Sequence, residues 1–355
     1  MLPPLEYLAW ATERYPSLRF DLATSGLAEA PLSLLGDLPH LDARGADRRF
    51  AAAVAGRYGL SPDEVTPALG TSGALWLVYA GCFSRGDTIL VERPAYEPVV
   101  RVAEGAGLRV ERFDRRREDG WRVEPARVLG ALSPATKGVV LTDLHNPSGT
   151  PLDDTLTREL AAHLAARGVL LVVDEVYREL YAPGTTARSL GPNVVVTSSL
   201  TKAFGLGALR AGFVLSEPEL APRLRGAALH AVGVLPTATF ALATAAMAAL
   251  PAFEARRAEL QADKRELIDA WLAARGDVLS WVPPHEGSLF GFVRDARGGD
   301  LRGMLERGLA RDGVLSAPGS FFDGYDDSFR LAWSGARETL VESLALLGRA
   351  LELDG

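Results

Sequence analysis

Cysteine is almost absent from this chain, and its scarcity excludes two kinds of site. Cys82 is the only cysteine among 355 residues, so no intrachain disulfide can form, which is typical of proteins from a reducing compartment. The five histidines are dispersed, and with a single cysteine they provide no metal-ligand spacing. We therefore expect a cytoplasmic protein without a metal site.

Long apolar runs and blocks of like charge are also missing. The most apolar stretch, residues 238–250, is short and stops at Pro251, so it is interpreted as a buried helix rather than a membrane span. The net charge is −7 and no basic stripe is visible, which argues against nucleic acid as a main partner. The N-terminus lacks the basic and apolar pattern of a secretory signal. No membrane and no nucleic-acid partner are expected.

Lysine is also scarce in this chain. Lys137, Lys202 and Lys264 are the only lysines among 38 basic residues, so arginine is used wherever a positive charge alone is enough. An amine can lose its proton and condense with an aldehyde, whereas a guanidinium stays charged. Lys202, eight positions before Arg210, is therefore a candidate for covalent chemistry, and an ordinary surface lysine is the alternative interpretation.

Short β-branched runs alternate with Ala-rich stretches along most of the chain. This alternation is typical of a parallel sheet with crossover helices. The predicted strands are 88–91, 138–142, 169–173 and 194–197. The predicted helices are 73–82, 96–105, 153–166 and 235–250. The segment Ser61–Glu64 has the spacing of a capping box and predicts one more short helix.

The texture of the sequence changes after residue 250 and suggests two unequal domains. Residues 251–275 are charged and helix-favouring, which predicts one long linking helix. Residues 276–355 are richer in Pro and Gly turns and are interpreted as a smaller α+β domain. Residues 41–250 then form the large domain, and residues 1–40 pack with the small domain or with a partner subunit.

Chemically distinctive side chains follow each of the four predicted strands. Tyr96 follows the first, Asn146 the second, Asp174 and Tyr177 the third, and Lys202 the fourth. In open parallel sheets, ligands bind beyond the carboxyl ends of the strands. Each residue alone has an ordinary explanation, such as packing, a turn or a helix cap, but their conjunction in this order favours a site.

A second group of residues has the composition of a phosphate site. Gly70-Thr71-Ser72-Gly73 precedes a predicted helix, whose N-terminal N–H groups and dipole favour an anion. Hydroxyls of Thr71, Ser72 and Ser199 would add donors, and Arg210 would add a forked positive charge. A capped helix start is the alternative for Gly70–Gly73.

Over nearly its whole length the chain resembles the fold-type I pyridoxal-phosphate enzymes, in particular the class I/II aminotransferases of the aspartate aminotransferase type. The motifs that carry the resemblance are Gly70–Ala74, Asn146–Gly149, Asp174–Tyr177, Ser199–Lys202 with Arg210, and Ala317–Phe321 followed by Phe329-Arg330. The resemblance implies an α/β fold: a large domain with a mainly parallel seven-stranded sheet flanked by helices, and a smaller α+β domain built from the C-terminal part and the N-terminal segment.

The resemblance also implies roles for the site residues. Lys202 would hold pyridoxal 5'-phosphate as a Schiff base and then move the Cα proton. Asp174 would keep the ring nitrogen protonated, Asn146 and Tyr177 would bond the ring oxygen, and Tyr96 would stack on the ring. The phosphate would be held by Thr71, Ser72, Ser199 and Arg210. The substrate α-carboxylate would be bound by Arg330, with Gly26 and Asn146 beside it.

Two positions depart from the family pattern. His40 stands where the family often has a tyrosine that reaches the partner subunit's cofactor phosphate, so the expected homodimer has its active site at the interface. Residues 227–236 contain no Arg, whereas members acting on dicarboxylates carry a second Arg in this region. The sequence therefore favours an aliphatic or aromatic amino acid as the donor and a 2-oxo acid as the acceptor.

Two other functions remain open at the level of sequence. The same residues would serve a lyase or decarboxylase, for example one that performs C–S β-elimination, because the cofactor carries out the electron-sink step. A cofactor-binding regulatory protein without turnover is the alternative of another class, since fold resemblance alone does not establish activity. Asp143, which precedes the Asn146 loop, has no expected role beyond capping that loop.

Overall fold

The computed structural model describes residues 2–15, 18–42 and 44–353. The domain predictions that include Met1, Pro16, Ser17, Ala43, Asp354 and Gly355 lie outside the described residues at those positions. The strands are β1 (Phe20–Leu22), β2 (Val65–Leu69), β3 (Thr88–Arg93), β4 (Arg109–Asp114), β5 (Thr136–Thr142), β6 (Leu170–Asp174), β7 (Val194–Ser199), β8 (Ala211–Leu215), β9 (Leu279–Trp281), β10 (Phe290–Asp295), β11 (Val314–Pro318) and β12 (Ser328–Ala332). The helices are α1 (Glu6–Arg14), α2 (Ala46–Tyr58), α3 (Gly70–Cys82), α4 (Glu97–Gly105), α5 (Pro125–Ala131), α6 (Asp154–Ala165), α7 (Ala221–Val232), α8 (Thr237–Ala248), α9 (Leu250–Gln261), α10 (Arg265–Ala273), α11 (Leu301–Asp312) and α12 (Arg337–Ala350).

The larger sheet has seven strands in the order β2-β8-β7-β6-β5-β3-β4. Strands β3 to β7 run parallel, and β8 pairs antiparallel with both β7 and β2. The central strands are buried almost throughout because helices cover both faces, and this explains their continuous Val and Leu runs. The predicted α/β class with a mainly parallel sheet is confirmed.

The four predicted strands and the four predicted helices all occur, with boundaries that shift by a few residues. The short helix after Ser61 is a 3₁₀ helix, Pro62–Glu64, and its predicted capping box is present: the Ser61 N–H donates to the Glu64 carboxylate over 3.1 Å. Strands β2, β4 and β8 of the larger sheet were not predicted. Pro67 interrupts the pattern of β2, and β8 is a short run that follows Gly207–Arg210.

The smaller sheet has the order β1-β11-β12-β10-β9. Strand β1 from the N-terminal segment pairs in parallel with β11, while the remaining pairs are antiparallel. Residues near the N-terminus therefore contribute an edge strand to a sheet made otherwise from residues after 278. From the two sheets we propose a large domain at 41–250 and a small domain at 276–355 that residues 1–40 join.

The predicted single linking helix over 251–275 is wrong. The chain forms α9 and α10 instead, separated at Ala262–Lys264, where Asp263 has a φ of 55°. The Lys264 ammonium is buried there and donates to the carbonyl of Gly335, and Arg337 donates to the carbonyl of Asp263. A helix cannot continue through a residue with left-handed backbone angles. The chain therefore breaks between α9 and α10 at the point where it contacts the C-terminal segment.

Among the described ranges, no single helix has the length and hydropathy needed to cross a membrane. The stretches Thr237–Ala248 and Leu250–Ala273 meet that requirement only when counted together across a bend of 75°.

Candidate active site

The carboxyl ends of three neighbouring strands bring the predicted catalytic residues to one edge of the larger sheet. Thr142 at the end of β5 is in register with Asp174 of β6, which in turn is in register with Thr197 of β7. The loops that leave these strands carry Asn146 and Lys202. Because parallel strands end at the same edge, residues far apart in sequence converge there.

Lys202 borders a cavity and has an unusually low basicity. Desolvation first, and then the positive charges of Arg330 and Arg210, lower the pKa of Lys202 to about 8. A Cβ on Gly26 would lie 2.7 Å from Cδ of Lys202, so only glycine leaves room for this side chain. The amine is thus available in its neutral, nucleophilic form close to physiological pH.

Asp174 is a buried carboxyl with few partners. Its Oδ1 accepts the N–H of Val176 over 3.3 Å, and its side chain is only 4% exposed. Burial, reinforced by repulsion from Glu92, raises the pKa of Asp174 to about 7. A carboxyl in this condition is suited to a buried cationic partner, such as a protonated ring nitrogen, which would stabilise its charged form.

Arg330 connects the substrate-binding and cofactor-binding predictions. Its fully buried guanidinium donates from Nη1 to Oδ1 of Asn146 over 2.7 Å, and from Nη2 to the Tyr7 hydroxyl over 2.9 Å and the Ala23 carbonyl over 2.6 Å. Nε of Arg330 has no hydrogen-bond partner among the described residues. A buried donor of this kind is what a substrate carboxylate would satisfy.

Tyr177 lies beside this arginine network. Its hydroxyl is 2.7 Å from Oγ of Ser25 and receives a longer bond of 3.4 Å from Nδ2 of Asn146. Burial raises the pKa of the phenol, so Tyr177 stays protonated and can donate a hydrogen bond. The structure therefore brings Asn146, Tyr177 and Arg330 into one hydrogen-bonded group.

The predicted phosphate residues meet at the start of α3. Gly70 has a φ of 68°, and a Cβ there would collide with the guanidinium of Arg210. Oγ1 of Thr71 donates to Oγ of Ser199 over 2.9 Å, and Ser72 follows in the first turn of the helix. Backbone N–H groups, hydroxyls and a guanidinium thus converge on a helix N-terminus, which fits a phosphate group.

The cavity beside Lys202 has a volume of about 490 Å³. One side of it is formed by helix α1, which the sequence did not connect with the site. The Tyr96 ring borders it and lies edge-on to the Tyr7 ring at 5.5 Å. The lining residues are Tyr7, Leu8, Ala11, Thr12, Tyr15, Thr24, Ser25, Tyr96 and Lys202.

Two sequence predictions lie away from this cavity. His40 is exposed and does not line it. Residues 227–236, which the sequence associated with the substrate side chain, instead border a separate cavity of about 300 Å³ against α3. Within the described part of this chain, residues 227–236 do not line the Lys202 cavity, whereas residues of α1 do.

Asp143 has a structural role that the sequence did not reveal. Its fully buried carboxylate accepts bonds from Nη1 of Arg178 over 2.7 Å, the Leu152 N–H over 2.9 Å and the Tyr181 hydroxyl over 2.8 Å. These bonds differ from the expected local cap of the loop, because the three partners of the Asp143 carboxylate lie nine or more residues further along the chain. Asp143 fixes the base of the loop that carries Asn146.

His145, unlike Asp143, was not singled out by the sequence. Nε2 is 2.8 Å from the carbonyl of Pro94 and therefore carries the proton, while Nδ1 is 2.7 Å from Oγ of Ser148. Burial holds the pKa of His145 well below its usual range, so the ring is neutral. The histidine ties the loop of Tyr96 to the loop of Asn146.

Comparisons with known proteins agree with this geometry. The sequence model of the family described as aminotransferase class I and II matches residues 43–343. Capreomycidine synthase of Streptomyces vinaceus is 29% identical over 99% of this chain and 94% of its own length. The arginine–pyruvate transaminase AruH of Pseudomonas aeruginosa is 28% identical over 81% of this chain and 76% of its own length. A pyridoxal-phosphate-dependent aminotransferase from Streptococcus suis superposes with a TM-score of 0.89 at 22% identity, covering 99% of this chain and 98% of that one.

Proposed function

The chain belongs to the class I and II aminotransferases, and we propose that it moves the amino group of an L-amino acid to a 2-oxo acid by a ping-pong mechanism. The observation that carries this proposal is the setting of Lys202. Its amine, with a pKa of about 8, borders a cavity beside a buried carboxyl and a buried arginine. Covalent amine chemistry, proton transfer and carboxylate binding need these three groups together.

The residues present fit pyridoxal phosphate, the cofactor of this family. The Gly70 cradle with Arg210 suits its phosphate, and the buried Asp174 carboxyl suits its ring nitrogen. When bound, the cofactor supplies an aldehyde for the amine and a sink for electrons from the Cα–H bond. The residues proposed to hold it are Thr71, Ser72, Tyr96, Asn146, Asp174, Tyr177, Ser199, Lys202 and Arg210.

The protein's own groups then divide the remaining work. The Lys202 amine would take the proton from the substrate Cα and deliver it to the former aldehyde carbon of the cofactor, since its lowered pKa lets it act as a base near neutral pH. Arg330 binds the α-carboxylate, and its bonds to Asn146 and Tyr7 fix the guanidinium before substrate arrives. Gly26 leaves the space through which the Lys202 side chain passes.

The substrate is proposed to carry an aliphatic or aromatic side chain. The largely apolar lining of the Lys202 cavity supports this choice. The relatives do not decide it, because they include an arginine transaminase and a synthase. A substrate panel in which aspartate far exceeds leucine and phenylalanine would contradict the preference.

We expect the enzyme to act as a cytoplasmic homodimer. Exposed apolar side chains support an interface, among them Leu38, Leu229 and Val234, which are 64%, 66% and 87% exposed in the single chain. His40, which is also exposed, is proposed to reach the partner's cofactor phosphate. Light scattering coupled to size exclusion should give twice the chain mass of 37.9 kDa, and a monomer at working concentration would contradict the proposal.

One experiment tests the reaction. The purified holoenzyme is mixed with single amino acids while the visible absorption of the cofactor is followed. Transamination predicts a spectral change that a 2-oxo acid reverses, and the variant Lys202→Arg should retain the charge and lose the change. Turnover retained in Lys202→Arg would refute the role of this lysine, and no spectral change with any amino acid would favour the regulatory alternative.

A lyase or related reaction is the second candidate. The relative that covers 99% of this chain is named a synthase rather than a transaminase, and the same residues would serve such chemistry. In the same experiment, release of pyruvate and ammonia would indicate β-elimination. Release of carbon dioxide would indicate decarboxylation.

A further inference from the structure

Resting on the proposed function, we infer that helix α1 forms the wall of the pocket for the substrate side chain and selects uncharged, apolar side chains. Leu8, Ala11 and Thr12 all line the cavity beside Lys202. Their spacing of three and four residues places them on one face of the helix. This stretch of the N-terminal segment therefore contributes to specificity as well as to folding.

The position of Arg330 sets the direction in which a substrate points. Arg330 contacts the cavity through Tyr7, whose hydroxyl accepts a bond of 2.9 Å from Nη2. A carboxylate on Arg330 and a Cα within reach of Lys202 leave the side chain to extend along the remaining wall. That wall is the face of α1 with Leu8, Ala11 and Thr12.

Contacts at both ends hold α1 in place. The Glu97 carboxylate accepts the N–H of Glu6 over 3.0 Å and that of Tyr7 over 2.7 Å, so it caps the first turn from another helix. Glu306 accepts bonds from Nε1 of Trp10 over 2.5 Å and from Nε of Arg14 over 3.0 Å. A wall fixed in this way can discriminate by size, because it does not yield freely to a larger side chain.

The lining of the cavity excludes a second charge. Among the described residues that border it, Lys202 is the only ionised group. The Thr12 hydroxyl is already shared between the carbonyls of Leu8 and Ala9, at 2.8 and 3.0 Å. A distal carboxylate or ammonium would therefore find no ion-pair partner in this wall apart from Lys202, which the reaction itself uses. Leucine-like and phenylalanine-like substrates need no such partner.

The first test changes the size of the pocket. Ala11 is buried on the cavity face, whereas Ala9 on the same helix is exposed and does not line the cavity. Ala11→Phe should lower kcat/KM for phenylalanine relative to alanine by roughly 10- to 200-fold, the range that one methylene commands in an apolar pocket. Ala9→Phe, the matched control, should leave that ratio unchanged.

Binding is measured separately from turnover with α-methyl amino acids, which cannot lose a Cα proton. Their dissociation constants, read from the cofactor's absorption, should shift in Ala11→Phe in the same direction as kcat/KM. An equal loss for large and small side chains would mean general damage to α1 and would overturn the proposal. An unchanged ratio in Ala11→Phe would also overturn it, while transamination by the wild-type enzyme would leave the proposed function intact.

The second test changes the charge of the pocket. Thr12→Arg should raise kcat/KM for aspartate relative to leucine by about 10-fold or more, since it gives the distal carboxylate a partner. No gain in this ratio would contradict the assignment of α1. A wild-type preference for arginine over leucine would refute the apolar assignment. It would indicate instead that the substrate side chain extends into the second cavity, which Tyr15, Asp21 and Glu29 line.

Discussion

Replacing Asp143 by alanine should destabilise the protein far more than removing an exposed carboxylate. The Asp143 carboxylate is fully buried and accepts bonds from Arg178, Leu152 and Tyr181. Arg178 is itself buried, and after the change its one remaining ion-pair partner among the described residues is Asp154, at 2.7 Å. The variant therefore leaves the buried positive charge of Arg178 with one carboxylate partner instead of two.

The size of the effect follows from this burial. Breaking a buried ion pair by removing one partner costs about 3–5 kcal/mol, because the other charge stays desolvated. Against a typical total stability of about 5–15 kcal/mol, such a loss is at least about a fifth of the free energy of unfolding. Asp143→Asn keeps an acceptor for the Leu152 N–H and should lose less, about 1.5–3 kcal/mol for the bond to the charged group.

Urea unfolding followed by far-ultraviolet circular dichroism measures the free energy of unfolding of the wild type, Asp143→Ala and Asp143→Asn in the same buffer. The control is Asp269→Ala on α10, whose ion pair with Arg265 at 3.0 Å is half exposed and should contribute about 0.2–1 kcal/mol. If Asp143→Ala destabilises the protein no more than Asp269→Ala does, the Asp143 network does not anchor the Asn146 loop. Cofactor affinity should fall in the same order as stability, since that loop carries Asn146.

Three further outcomes are expected. Capture of pyridoxal phosphate by the cofactor-free protein should accelerate as the pH rises through about 8, because the lowered pKa of Lys202 frees its neutral amine there; stopped-flow absorbance that rises only near the ordinary value of 10.5 would contradict this. Arg330→Gln should raise KM for the amino acid by roughly 30-fold or more, from a loss of at least about 2 kcal/mol at a buried charge pair, and a Michaelis–Menten series with unchanged KM would refute carboxylate binding by Arg330. His40→Ala should weaken the affinity for pyridoxal phosphate measured by equilibrium titration, and an unchanged dissociation constant would exclude the contact across subunits.

The strand ends could be predicted because burial on both faces imposes continuous apolar runs, after which polar residues stand out. Asp174 and Lys202 were identified in this way, and the structure brings both to one edge of the sheet. The wall of the cavity could not be found by such reasoning. Tyr7 meets Arg330 across 323 residues, and no local periodicity encodes a contact of that range.

The break between α9 and α10 was missed for a related reason. Residues 251–275 have helix-favouring side chains throughout, and local propensity alone predicts one helix. Burial of Lys264 against Gly335 overrides that propensity, and its partner lies 71 residues further along the chain. The structural role of Asp143 likewise depends on bonds to Arg178 and Tyr181, which come after the next strand in the sequence.

The separation of α1 from the strand-end residues has a consequence for engineering. Catalysis is proposed to depend on residues at the ends of β5, β6 and β7 in the middle of the chain, whereas the cavity wall belongs to a helix of nine residues near the N-terminus. Tyr7 holds Arg330 and is the position to keep, while Leu8, Ala11 and Thr12, which line the cavity, are the positions to vary. A small combinatorial library at these three codons would sample new substrates without disturbing the groups that move the proton.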